Sequence, residues 1–301
     1  MMYNQKVNYT DYIVETEKER KMNMKKVVTI QDISCYGKCS LTVALPIISA
    51  MGIETAVVPT AVLSTHTGGF KGYTFRDLTN DIPDIANHWK KLDLKFNAIY
   101  TGYLGSKEQI KIVSDFFEDF STEDNFIVVD PAMADNGKLY SGFTRDFVAE
   151  MAKLCAKADY IIPNMTEAAF TLDIPYTESY DQAYVEEILR KLAALGCPTP
   201  VLTGVHFNNK EQGAAAYDSV NNRFYYSFRN NIDCAIHGTG DIFSSVFTGA
   251  VVLGKTLQQS LDIAVNYTVD CIEATVPHLE EMWYGSCFEP CLGKLIQYVN
   301  E

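Results

Sequence analysis

The chain has 301 residues with 38 acidic against 25 basic side chains, a net charge of −13 and a pI near 4.8. That balance argues against a protein whose affinity comes from neutralising nucleic-acid phosphates. It also repels nucleotides at long range, but salt cuts such a field off within about 8 Å, so a local anion hole can still win.

The length suits one large α/β domain, and no low-complexity linker divides it. Residues 1–24 are polar and charged and read as a mobile extension ahead of a single domain over 25–301. From there the pattern alternates. Strands are expected at 27–30 and 55–59, with a helix at 41–51 between them that Gly52 stops. Asp81 and Pro83 open a helix through Lys91, and a strand follows at 98–101. Ser106 caps a helix to Phe120, and 126–130 is a strand ahead of a helix at 145–158. A strand at 160–162, a short helix from Glu167, a helix at 185–195 and a strand at 200–202 come next. Segments 214–217 and 224–228, joined across Asn221-Asn222, read as an antiparallel hairpin, and two or three helices finish the chain.

Such alternation implies an α/β fold with a mostly parallel sheet between helical layers and an antiparallel edge hairpin. Ligands of such sheets sit beyond the carboxyl ends of the strands. That rule puts Gln31-Asp32, Thr101-Gly102-Tyr103, Asp130, Asn164 and Thr203-Gly204 on one rim.

The stretch at 236–243, Ile-His-Gly-Thr-Gly-Asp-Ile-Phe, is a glycine-lined bend feeding a helix whose apolar residues run to Gly254. A helix start leaves amide N–H groups unpaired and carries partial positive charge, so Gly238, Thr239, Gly240 and Asp241 form a place for an anion. Asp241 could take a proton from an attacking hydroxyl; equally, it could be an ordinary first-turn acid. A Walker loop is excluded, because Gly37-Lys38 is followed by Cys39 and Asp32 stands where the first glycine belongs. Asn164 and Glu167 have the spacing of a capping box, which would account for both without any ligand.

The eight cysteines lack paired metal-site spacings and read as free thiols of a reducing compartment. No apolar run suits a membrane span or a signal peptide, so a cytoplasmic protein without membrane or nucleic-acid partners is expected.

The Gly238-Thr239-Gly240-Asp241 motif, at the head of a helix in the last third of the chain, resembles the ribokinase-like superfamily of small-molecule kinases. Thr29-Ile30-Gln31, Leu63-Ser64-Thr65-His66-Thr67, Thr101 to Ser106, Val129-Asp130-Pro131 and Pro163 to Glu167 narrow it to the pyridoxal/pyridoxamine kinase branch, from about Lys26 to the C-terminus. The resemblance implies a three-layer α/β/α kinase that phosphorylates the hydroxymethyl group of a vitamin B6 compound from ATP and Mg²⁺, as a homodimer. It leaves a monovalent cation open. It makes Asp241 the catalytic base and puts Asp130, Asn164, Glu167, Thr203, Gly204 and Thr239 around ATP. Asp130 and Glu167 serve the metal, and Asp32, His66, Thr67 and Tyr103 serve the acceptor. Without the resemblance, Thr203-Gly204 is a strand-ending turn and Tyr103 a core tyrosine. Residues 67–73, with Gly68, Gly69 and Gly72, are a candidate cover over the site or a plain surface turn. Asp32 stands where serine is commoner and Thr65 where asparagine is. Hydroxymethylpyrimidine kinase is the nearest rival, and a non-catalytic B6-binding module the rival of another class.

Overall fold

The computed structural model describes residues 24–208 and 210–301; the expected extension lies outside the described residues except for Met24. In chain order the elements are β1 (Lys26–Ser34), α1 (Leu41–Ala50), β2 (Glu54–Leu63), β3 (Phe75–Asp77), α2 (Asp81–Lys91), β4 (Ala98–Thr101), α3 (Lys107–Phe120), β5 (Phe126–Val129), β6 (Ala134–Asp135) and β7 (Lys138–Leu139). They continue with α4 (Arg145–Cys155), β8 (Tyr160–Ile161), α5 (Met165–Thr171), α6 (Gln182–Ala194), β9 (Thr199–Asn208), β10 (Glu211–Asp218), β11 (Arg223–Asn230), α7 (Thr239–Val252), α8 (Leu257–Thr275) and α9 (Leu292–Asn300).

Nine strands make one sheet in the order β11-β10-β9-β8-β5-β4-β1-β2-β3. The run from β9 through β2 is parallel, and the hairpin β10–β11 and the short β3 add antiparallel strands at the two edges. Successive strand residues point to opposite faces, and both faces are buried. On β4, Ile99 enters one core while Ala98 and Tyr100 enter the other. The first core holds Ile82, Val113, Phe147, Ala168 and Ile188 from α2 to α6; the second holds Ile47, Phe247, Ala264 and Leu295 from α1, α7, α8 and α9. These are the three layers the alternation implied. Among the described residues no helix is long and apolar enough to cross a membrane, and the eight cysteines are free thiols.

Two strands run further than their apolar residues suggest, and both extensions matter to the site. β1 continues past Ile30 to Ser34 with a shift in its pairing to β2 between Gln31 and Ile33, so Asp32 lies in an irregular strand end instead of a loop. β9 continues past Leu202 to Asn208, so Thr203-Gly204 does not end the strand. Gly204 has φ of +67°, where a side chain is strained, and the pairing to β10 shifts beside it.

Candidate active site

Helix α7 is apolar on nearly every side, with Ile242 through Val252 all buried, so it runs through the second core and its start faces the strand ends. Gly238 caps it at φ +83°, and a Cβ there would collide with the Lys38 carbonyl oxygen. Glycine is therefore what lets the 37–40 segment lie against the helix start. Among the described residues no backbone carbonyl accepts a well-formed hydrogen bond from the amides of Gly238 through Asp241, and the first intrahelical bond falls to Ile242 N–H on the Gly238 carbonyl. The Thr239 hydroxyl turns back to the Ile236 carbonyl at 3.3 Å. Space beside Gly240 is open.

Asp241, in the first turn, is only partly accessible. Burial pushes its carboxyl up to about 7; the nearby Ser40 N–H works against this, and the charges of Asp130 and Asp32 add to it. Asp241 thus lies within electrostatic reach of two carboxylates from different strand ends. Asp130, directly after β5, accepts from the Ala132 N–H at 3.2 Å and from the Ser244 hydroxyl at 2.7 Å, and burial shifts it upward. Asp32 accepts from the Ser34 hydroxyl at 3.1 Å; burial raises it, and the Ser40 and Ser34 hydroxyls hold it back.

The residues assigned to ATP form a row along β5, β8 and β9. Thr203 bridges to Asn164, its N–H donating to the Pro163 carbonyl at 3.0 Å. Asn164 caps α5 and also donates its amide to the Ala134 carbonyl at 2.9 Å. The capping box is present, and it does not exhaust Glu167. One Glu167 oxygen accepts the Asn164 N–H at 2.9 Å; the other accepts the N–H groups of Met133 at 2.9 Å and Ala134 at 3.4 Å. Glu167 therefore clamps the segment after Asp130 to the start of α5. Burial and the Asp130 charge raise its pKa, against the pull of those three amides.

For a metal, these residues offer only oxygen, from two buried carboxylates, and among the described residues no group of three His, Cys, Asp or Glu could hold an ion unaided. Mg²⁺ suits such a set, since it prefers oxygen, keeps several waters and leans on phosphate oxygens. No lysine or arginine among the described residues pairs with Asp32, Asp130, Glu167 or Asp241, so a cation has charge to neutralise there.

On the acceptor side, Tyr103 is half-buried and its ring stacks on Phe143 at 5.6 Å; burial, then Asp32, pushes its phenol up to about 12. His66 is placed differently from what a hydrogen-bonding substrate contact would need. Its Nδ1 accepts the Gly68 N–H at 3.1 Å, which puts the ring proton on Nε2, donating to the Tyr284 carbonyl at 2.6 Å. Both nitrogens are occupied, so only the ring face remains for an acceptor. Thr67 is exposed.

His66 instead holds the first part of the 67–73 segment, while Lys71 to Tyr73 are exposed. Phe70 packs on Trp283 at 4.6 Å and on His66 at 5.0 Å, and Gly68 and Gly69 lie directly against His237 and Trp283. An aromatic cluster of Tyr36, Phe70, Trp283 and Tyr284 so joins three distant parts of the chain. Sequence reasoning missed this cluster, and it missed Ser40 and Ser244. Ser244 was within reach, because it lies three residues after Asp241 and so on the same side of α7. Nothing local marks the others.

A family model described as phosphomethylpyrimidine kinase matches residues 44–283. The chain is similar to the pyridoxine/pyridoxal/pyridoxamine kinase of Bordetella avium, 26% identical over 266 residues that cover 83% of this chain and 85% of that protein. Among solved structures, a candidate phosphomethylpyrimidine kinase of Bacteroides thetaiotaomicron, crystallised with pyridoxal, is 41% identical with a TM-score of 0.86, covering 90% of this chain and 96% of that one. The pyridoxal kinase of Lactobacillus plantarum is 30% identical with a TM-score of 0.83, covering 91% and 97%.

Proposed function

Since the chain belongs to the phosphomethylpyrimidine kinase family and is an ATP-dependent phosphotransferase of ribokinase-like fold, we propose that it phosphorylates the hydroxymethyl group of a vitamin B6 compound. The observation that carries this reading is the position of Asp241: it stands at a helix start whose first amides meet no backbone carbonyl among the described residues, within electrostatic reach of the carboxylates of Asp130 and Asp32.

In the reaction the acceptor oxygen forms a bond to the γ-phosphorus while the bond from that phosphorus to the bridging oxygen breaks, releasing ADP. Asp241 takes the hydroxyl proton as the oxygen attacks. The amides of Gly238 to Asp241 donate to the transferring phosphoryl, where charge is spread over its equatorial oxygens. Asp130 and Glu167, with water, would hold Mg²⁺, which supplies neutralising charge at the phosphates. Asn164, Thr203 and Gly204 border the nucleotide; Asp32 and the Tyr103 ring border the acceptor. The aromatic cluster around Phe70 keeps water from the phosphoryl group.

The description of the matching family model favours a second reading, a hydroxymethylpyrimidine acceptor in the same slot. ADP release measured with pyridoxal, pyridoxamine, pyridoxine and hydroxymethylpyrimidine tests both. Turnover of the pyridine alcohols at rates well above that of the pyrimidine supports the B6 reading; the reverse order overturns it.

A further inference from the structure

We propose that Asp32 pairs with an ammonium group on the acceptor, so that the slot selects among alcohols by charge; this builds on the kinase reading above.

Asp32 is 5% exposed at the irregular end of β1. A carboxylate there, away from water, needs a cation or a full set of donors. The donors are few. The Ser34 hydroxyl occupies one oxygen at 3.1 Å, and the Ser40 hydroxyl and Asp32's own N–H are the other groups turned toward it. An ionised carboxylate can accept about four hydrogen bonds, so acceptor capacity is left over.

Among the described residues no positive charge fills it. Lys26 and Lys38, equally near in sequence, are committed to Glu54 at 3.2 Å and to Glu289 at 2.6 Å. The other titratable groups close to Asp32 are Cys39, His66, Tyr103 and Asp241. Cys39 and Tyr103 carry no positive charge in any state. His66 is held neutral, because its Nδ1 accepts the Gly68 N–H while Nε2 donates to the Tyr284 carbonyl. Asp241 is a second carboxylate, and the two disfavour each other's ionisation. An ammonium brought in with the acceptor would relieve that repulsion and keep both groups ionised, at the moment when Asp241 has to act as a base.

If Asp32 served only as a brace for Ser34 and Ser40, its loss would slow every acceptor alike. Pairing with an ammonium has a different signature. Pyridoxamine and pyridoxine share a ring and the reacting hydroxymethyl, and differ in carrying an aminomethyl or a hydroxymethyl at one carbon. The test is kcat/KM for both in the full chain, in wild type, Asp32→Asn and Asp32→Ser, with calorimetric binding of each alcohol in the absence of ATP. The ratio of the two constants cancels any difference in folded fraction between preparations. Wild type should prefer pyridoxamine, and both variants should lose about 10- to 100-fold of that preference, the value of a hydrogen bond to a charged group. A wild type without the preference, or variants that keep it, would overturn the proposal while leaving the kinase reading intact. Binding that shows the Asp32-dependent preference without turnover of either alcohol would sustain the proposal and overturn the vitamin B6 kinase reading.

Discussion

The Ser244 hydroxyl donates to the Asp130 carboxylate at 2.7 Å across the interface between α7 and the end of β5. Helix α7 thus carries Asp241 in its first turn and, one turn later, holds the carboxylate proposed to face the metal. The proposed base and the proposed metal side are thereby tied to one helix, which is how a reacting geometry is kept within a fraction of an ångström.

Ser244→Ala should therefore act on the nucleotide side. The buried Asp130 oxygen loses its donor, at a cost of about 1–3 kcal/mol. Thermal melts should show the lower stability, and a Mg²⁺ titration of the rate should show a higher half-saturating concentration with a smaller change in kcat.

Gly238→Ala should be far more damaging than an exposed glycine substitution. The new Cβ meets the Lys38 carbonyl oxygen, and φ of +83° strains any side chain, by about 1–2 kcal/mol before the collision is counted. Activity should fall with stability, as read by melting temperature and kcat together, because the displaced 37–40 segment carries Ser40 away from Asp32 and Asp241.

The rate should rise with pH. Asp241 works as a base only when ionised, and its carboxyl is raised to about 7, so its active form grows through neutrality. A profile of kcat/KM should climb roughly tenfold per pH unit below about 6 and level off above about 8. In Asp241→Asn that limb should vanish from the residual activity.

Phe70→Ala should loosen the cover without touching the base. The ring's contacts with Trp283, His66 and Tyr284 are lost, which opens the 67–73 segment to water. ADP release without acceptor should increase relative to phosphorylated product, as measured by comparing the two in one reaction. An unchanged ratio would leave the segment a structural turn.

What could be read ahead of the structure follows physical lines. The apolar run after Asp241 is conspicuous because α7 is buried on nearly every side, so the glycine-lined bend stood out against it. The layers were legible because β1, β4 and β5 are short apolar runs between amphipathic helices. The far ends of β1 and β9 were not. Gln31 and Asp32 are polar residues that interrupt the apolar run although both are buried, and Gly204 looks like a strand stop although β9 runs on through its positive φ. Strands β3, β6 and β7 have two or three residues and leave no periodicity. The roles of Ser40, Phe70 and Trp283 come from partners far away in sequence, and the capping pattern of Asn164 and Glu167 hid the second grip of Glu167 on Met133 and Ala134.

The account rests on Asp241 as the group that takes the proton, and Asp241→Asn with pyridoxamine and Mg-ATP tests it most directly. The same side-chain size keeps the helix start intact while the base is removed. We predict kcat lower by about 10²–10⁴ with the dissociation constant for ADP changed little. A variant that turns over at the wild-type rate, or that loses nucleotide binding while keeping kcat, would contradict it.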